Sequence, residues 1–415
     1  MAPTRAYRFR LAAGPAPWAA LAGILLFLRY PDWLLRPRLW AEDGPVFFLA
    51  ARRDGASSLF APYAGYMHVI PRLVALMGAR LDPSLVPAMY VYSSLAVTLL
   101  VVALVFSPRL ELPCKPLLAL AIVAVPDTGE VFLTVANIQW ITALALVMAL
   151  LKRDPGDAAE LAGDSAILLL AGLTGPFCIM LLPFFLFRAL SRASLQSWAL
   201  FAIVLMTAFA QGRLILRDPP AGLAEGIPWL AGIPRLSAPV LSRVPLSLLG
   251  AQGWVYRVGR SFVLCAGWAG ALAMTAMACA RGPLRGERIC LLLFAIILTV
   301  SATARFGAGA WDYRDMVSGD RYFYVQKVLL TWILISLLSR RLPGVGFPLA
   351  LPVVAGLFLV AMISYVEPPD FETHHVERPW LSWDNYSARL RTGKEVAVEV
   401  SPNWTFVVPA RVPVR

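Results

Sequence analysis

Apolar blocks recur along this chain, and several reach the roughly 20 residues that a helix needs to cross a ~30 Å hydrocarbon layer. Leu85–Phe106, Ser261–Ala280 and Gly346–Tyr365 are the clearest. Only 15% of the 415 residues are charged and 59% are hydrophobic, against roughly 25% charged in an ordinary soluble domain. The expected class is a multi-pass integral membrane protein.

The net charge is +12, but the cations stand as ones and twos between apolar blocks. That is how topology charges are distributed, and it argues against a nucleic-acid surface. Cys114, Cys178, Cys265, Cys279 and Cys290 lie in or beside apolar blocks with no Cys-x-x-Cys pair, so small core residues are expected, not disulfides or a metal site. The basic start (Arg5, Arg8, Arg10) runs into an apolar stretch with no small-x-small cleavage site before Pro31. It reads as an uncleaved first span.

Eleven apolar segments can be laid out, at 15–30, 85–106, 116–125, 138–151, 165–174, 176–187, 196–212, 261–280, 288–305, 324–339 and 345–366. With a cytoplasmic N-terminus, the inner loops carry Arg109/Lys115, Lys152/Arg153, Arg188/Arg192, Arg281/Arg285/Arg288 and Arg340/Arg341. Every inner loop then has at least two cations, as the positive-inside rule requires. The first outer loop departs from the rule, with Arg36, Arg38, Arg52, Arg53, Arg72 and Arg80, though acids accompany them between Asp32 and Asp54.

Segments 116–125 and 165–174 span only about half the hydrocarbon, ~15 Å of helix. Short helices survive in a membrane where protein or a water-filled cavity covers their ends. The alternative at Thr174-Gly175-Pro176 is one kinked helix, which would reduce the count to ten. Residues 1–366 form the multi-pass domain, and 367–415 a small outer tail. In the first outer loop (31–84), Pro45–Arg53 and Tyr63–Arg80 read as helices on the membrane surface. In the tail, Glu395–Val400 and Thr405–Val408 flank a Ser-Pro-Asn-Trp turn and suggest a β-hairpin. No internal repeat of the transporter kind is visible.

Three polar constellations can carry chemistry. The first is Glu42-Asp43, just after the first span: a carboxylate there could act as a general base, while Asp43 before Gly44-Pro45 is also a natural helix cap. The second is Glu130 with Asn137, between two short helices, facing a wet cavity or forming a plain polar turn. The third is Arg305, Arg314 and Arg321 interleaved with Trp311 and Tyr322. Arginine pairs bidentately with phosphate and the rings can stack on sugars, or the stretch is an interfacial aromatic belt. His68, His374 and His375 show no metal-ligand spacing, so no metal is expected.

Together these features resemble the GT-C superfamily of polyprenyl-phosphate-sugar-dependent membrane glycosyltransferases, which places an acidic pair in the first outer loop. The order Trp40-Ala-Glu-Asp-Gly, then Pro62-Tyr-Ala-Gly-Tyr-Met-His-Val-Ile-Pro71-Arg72, is similar to a poorly characterised bacterial branch. The chain departs in lacking a large C-terminal domain and a Trp-Trp-Asp-type acceptor signature, which argues against an oligosaccharyltransferase. The resemblance implies an all-α integral membrane protein of about eleven transmembrane helices (ten to twelve) in a bacterial inner membrane. It implies an N-terminus in the cytoplasm, a tail in the periplasm, and no cofactor. A polyprenyl-phosphate-linked sugar would be the donor and an envelope glycan or lipid the acceptor. Asp43 would be the base and Glu42 would assist, with donor phosphate on Arg305, Arg314 or Arg321. Glu130, Asn137, Tyr66, His68, Trp311 and Tyr322 would contact substrate. The rival from another class is a transporter or flippase for a lipid-linked or anionic substrate, and a third reading is a non-catalytic envelope assembly subunit.

Overall fold

Each apolar segment folds as one helix. In chain order these are α1 (Pro15–Arg29), the short α2 (Pro31–Leu35), α3 (Leu49–Asp54) and α4 (Val69–Gly78) of the first loop, and then α5 (Val86–Leu104), α6 (Lys115–Ala124), α7 (Ile138–Leu151), α8 (Ala158–Gly172), α9 (Phe177–Arg192) and α10 (Leu195–Arg217). They continue as α11 (Arg260–Cys279), α12 (Arg285–Phe306), α13 (Tyr324–Arg341), α14 (Gly346–Val366) and the tail helix α15 (Trp383–Arg391). The computed structural model describes residues 14–127, 129–219, 237–250, 254–306, 312–316, 319–341, 346–366, 383–400 and 404–409.

Local chemistry sets the helix ends. Pro126 disfavours helix in the residue before it, and Val125 duly leaves α6 with extended backbone. The segment expected to begin at 165 begins at Ala158, where Asp157 accepts a hydrogen bond from the Glu160 amide and caps the helix. Thr174-Gly175-Pro176 separates two helices; it is not a kink in one. A Cβ on Gly175 would stand 2.9 Å from Gln139 Oε1 and 3.1 Å from the Phe177 ring, so a larger residue here would have to displace these side chains.

Among the described residues five helical stretches are long and apolar enough to cross a membrane: Pro83–Leu104, Leu195–Arg217, Arg260–Cys279, Arg285–Ala304 and Asp320–Ser339. Around the outside, Phe187, Phe209, Leu272 and Leu359 are exposed, an apolar exterior that suits lipid and not water. The fold is that of a helical membrane protein. The shortest of the eleven apolar-segment helices, α6, is buried from Leu117 to Ala124, packed by α1, α5, α13 and α14. Neighbouring protein thus covers the helix too short to span alone. The cysteines correct one expectation: Cys178 is buried, but Cys265 and Cys279 on α11 are exposed.

Polar contacts tie the connecting segments together at the ends of the bundle. At one end the Val69 amide donates to Leu173 O, the Ile70 amide to Thr174 Oγ1, and Arg243 to the carbonyls of Asp312 and Asp315. At the other, Asp164 pairs with Arg109 and Lys152, and Asp154 with Arg188 and Arg192.

The tail folds as expected. Strand β1 (Val396–Val400) pairs antiparallel with β2 (Trp404–Val408), Val398 opposite Phe406. Val396, Val398, Val400, Phe406 and Val408 turn inward and join Phe47, Phe48, Val74, Ala75 and Ala136 in a second hydrophobic core. Trp383 Nε1 donates to Pro83 O, and Arg391 grips the Asp82 carboxylate. Phe47 and Phe48 are therefore buried under the tail and do not lie on a surface. The helix expected over Tyr63–Arg80 starts only at Val69, because Tyr63 and Tyr66 pair with each other's backbone in a tight turn.

Candidate functional site

The acidic pair sits on a single turn, Ala41–Asp43, entered through the strained backbone of Ala41 (φ 27°). Its two carboxylates point to different places. Asp43 is only 1% exposed: one oxygen accepts from the Trp40 amide at 3.2 Å and the other from the Ala136 amide at 2.9 Å. Burial pushes its carboxyl up to about 8, against the pull of these amides. Asp43 is thus a strut between the first loop and the turn before α7. Glu42 keeps part of its surface and accepts from Tyr63 Oη at 3.4 Å. Burial and the nearby Glu42 push the Tyr63 hydroxyl upward, so it stays a proton donor.

Facing Glu42 is an ion pair from two distant loops, Arg321 Nη1 to Glu130 Oε2 at 2.5 Å. Glu42 contributes to the electrostatics of both members. Arg321 also lies over the Tyr322 ring, 5.1 Å from its centroid. Tyr322 in turn meets Trp140 at 5.0 Å, edge to face. Asn137 does not cap α7; its Nδ2 donates to Glu130 O at 2.7 Å and holds that loop. On the first-loop side, His68 is buried and does not ride on a surface helix. It stacks on Tyr66 at 4.5 Å and lies beside Phe47 and Tyr63. Trp140 Nε1 and Gln139 Oε1, both in the first turn of α7, have no hydrogen-bond partner among the described residues.

A buried charge network lies directly beneath. Lys327 Nζ donates to Asp320 at 2.6 Å and to Pro126 O at 3.1 Å. Arg29 donates to the carbonyls of Val123, Val125 and Asp127. Tyr30 Oη and the Gly129 amide reach the Asp127 carboxylate. Arg29, Asp127, Asp320 and Lys327 are all fully buried. They fix the 125–130 loop against the 319–323 turn, and so hold Glu130 opposite Arg321.

Six expected site residues therefore form one contiguous group: Glu42, Tyr66, His68, Glu130, Arg321 and Tyr322, with Asn137 and Asp43 as its supports. Arg314 does not join it; it stacks on Tyr313, in a separate cluster with Met316, Val255 and Val263. Arg305 falls in the last turn of α12, its side chain outside the described residues, and Trp311 lies outside them entirely. The sequence reading missed Tyr63, Trp140 and the buried network. Arg29 and Lys327 carried a usable signal, since each is a lone cation in an apolar block. Among the described residues no cluster of His, Cys, Asp or Glu could hold a metal ion.

No protein-family model matches the chain, and neither a curated protein nor a solved structure matches it. The chemistry of the group itself carries the functional reading.

Proposed function

We propose that this chain is an integral membrane glycosyltransferase of the GT-C type, moving a sugar from a polyprenyl-phosphate donor to an envelope glycan or lipid acceptor. The observation that carries this reading is the grouping of Glu42 with Arg321 and an aromatic wall, just after the first apolar helix. Here Glu42, the partly exposed member of the pair, is the base. It takes the proton of an acceptor hydroxyl as that oxygen bonds to the anomeric carbon. The bond from that carbon to the phosphate oxygen breaks with inversion, and Arg321 meets the departing phosphate. Tyr66, Tyr322 and Trp140 offer ring faces and edges to the sugar. Asp43 keeps Glu42 in place.

In this reading the eleven helices cross the bacterial inner membrane, and the group opens to the periplasm. The cation-rich loops at the opposite end of the bundle favour that orientation. The test is transfer from a polyprenyl-phosphate sugar by the purified protein. Glu42→Gln should lower the rate about 10²–10⁴-fold, the usual contribution of a general base. Asp43→Asn, once folded, should lower it less than about tenfold, because a strut only supports the base. The reverse ranking returns the base to Asp43. No loss in either variant removes the transferase reading.

The second reading, a transporter or flippase, is favoured by the buried Arg29–Asp127–Asp320–Lys327 network, because charges in a helical core often mark ion or proton paths. Substrate counterflow in proteoliposomes, with no sugar transferred, would select it.

A further inference from the structure

Two carboxylates, Glu42 and Glu130, face one guanidinium, Arg321. Asp320, next in the chain, is already matched by Lys327. The group therefore carries excess negative charge, which is a poor reception for an anion. A phosphate arriving at Arg321 meets an occupied partner and two repelling acids. Yet the pair is reachable: 25% of the Arg321 side chain and 20% of the Glu130 side chain are exposed. The anchoring of Glu130 is confined to its backbone, where Thr134 Oγ1 and Asn137 Nδ2 both donate to its carbonyl. Its side chain can leave Arg321 while the loop stays in place.

We propose that Glu130 is the displaceable partner of Arg321: a phosphate ester replaces its carboxylate on the guanidinium, and Glu130 takes up a proton as it is released. The inference rests on reading Arg321 as the phosphate-binding residue. The groups facing Glu130 are Arg321 and Asp320 from the 319–323 turn and Glu42 from the first loop. Burial already holds the Glu130 carboxyl above the ordinary range despite the pull of Arg321. Once the guanidinium turns to a ligand, only burial and the two acids remain, and all three favour the protonated form.

The test is calorimetry on the full-length protein in detergent, at one pH near neutrality, in two buffers of different ionisation enthalpy. The probes are dimethyl phosphate and farnesyl methyl phosphate. Neither diester has a proton to exchange near neutral pH, so any proton taken up belongs to the protein. Wild type should bind with uptake of up to about one proton, the limit for a single linked group. Binding of both probes identifies a free phosphate ester as sufficient, and binding of the farnesyl ester alone identifies a lipid-borne one. Glu130→Gln should bind several-fold more tightly with no proton uptake, because the competing charge is gone. Arg321→Gln should lose about tenfold or more in affinity, the scale of a lost charge-assisted hydrogen bond. Binding without proton uptake, or uptake that persists in Glu130→Gln, overturns the displacement and leaves Arg321 as the phosphate residue. If neither probe binds, or Arg321→Gln binds as wild type does, both readings fall.

Discussion

Gly44 packs against the ring of Phe406, so closely that a methyl group on Gly44 would overlap the ring. The two residues come from the first loop and the last strand, and their contact seats the tail directly behind Glu42-Asp43. The tail thus backs the acidic pair without adding a residue to the polar group itself.

Gly44→Ala should lower stability by about 1–3 kcal/mol, the usual cost of forcing a methyl group into a packed core. Phe406→Leu in the same chain should restore part of the loss, since a smaller side chain makes room. Thermal melting in detergent measures both, and protease cleavage ahead of β1 reports whether the tail has lifted. Equal melting of Gly44→Ala and wild type would mean that the tail is not seated there.

Asp43 gives a pH signature. Burial raises its folded value to about 8, well above the ordinary carboxylate range near 4, so the fold prefers the protonated form. That preference contributes stability fully below about pH 4 and is lost as pH rises toward 8, at about 1.4 kcal/mol per unit. Asn cannot titrate, and it offers one acceptor where Asp43 offers two to the Trp40 and Ala136 amides. Asp43→Asn should therefore melt below wild type at pH 5, and the gap should close as pH approaches 8. A gap that stays constant from pH 5 to 8 would contradict the buried, protonated strut.

Lys327→Met should cost about 3–5 kcal/mol, because it removes the cation facing a buried carboxylate. Adding Asp320→Asn should recover a large part, since the buried charge goes with its partner. The comparison is read from melting temperature and folded yield. An effect below about 1 kcal/mol, the scale of an exposed pair, would mean that water reaches Lys327.

Topology can be read with reporters. Fusions at residues 158 and 284 should report the cytoplasm and one at 395 the periplasm. The tail must share a side with the first loop, because Arg391 holds Asp82 and Trp383 holds Pro83. A cytoplasmic signal at 395 would break the count of eleven crossings.

The helices and the hairpin were legible in the sequence because each depends on neighbours a few residues away. Apolar run length marked all eleven bundle helices, and alternation at Val396, Val398 and Val400 marked the strand. The early start of α8 was hidden, because Glu160 and Asp164 read as loop residues until Arg109 and Lys152 arrive to pair with Asp164. The same limit governs the acidic pair. Adjacent carboxylates look equivalent in a sequence, and composition singled out the pair as a whole. Which of them is sealed depends on an amide 93 residues away, that of Ala136, reaching Asp43. Where the other finds a cation nearby depends on the buried Lys327–Asp320 pair, which orients the turn that carries Arg321. Run length and alternation are local properties, whereas burial and charge pairing belong to contacts that exist only once the chain has folded.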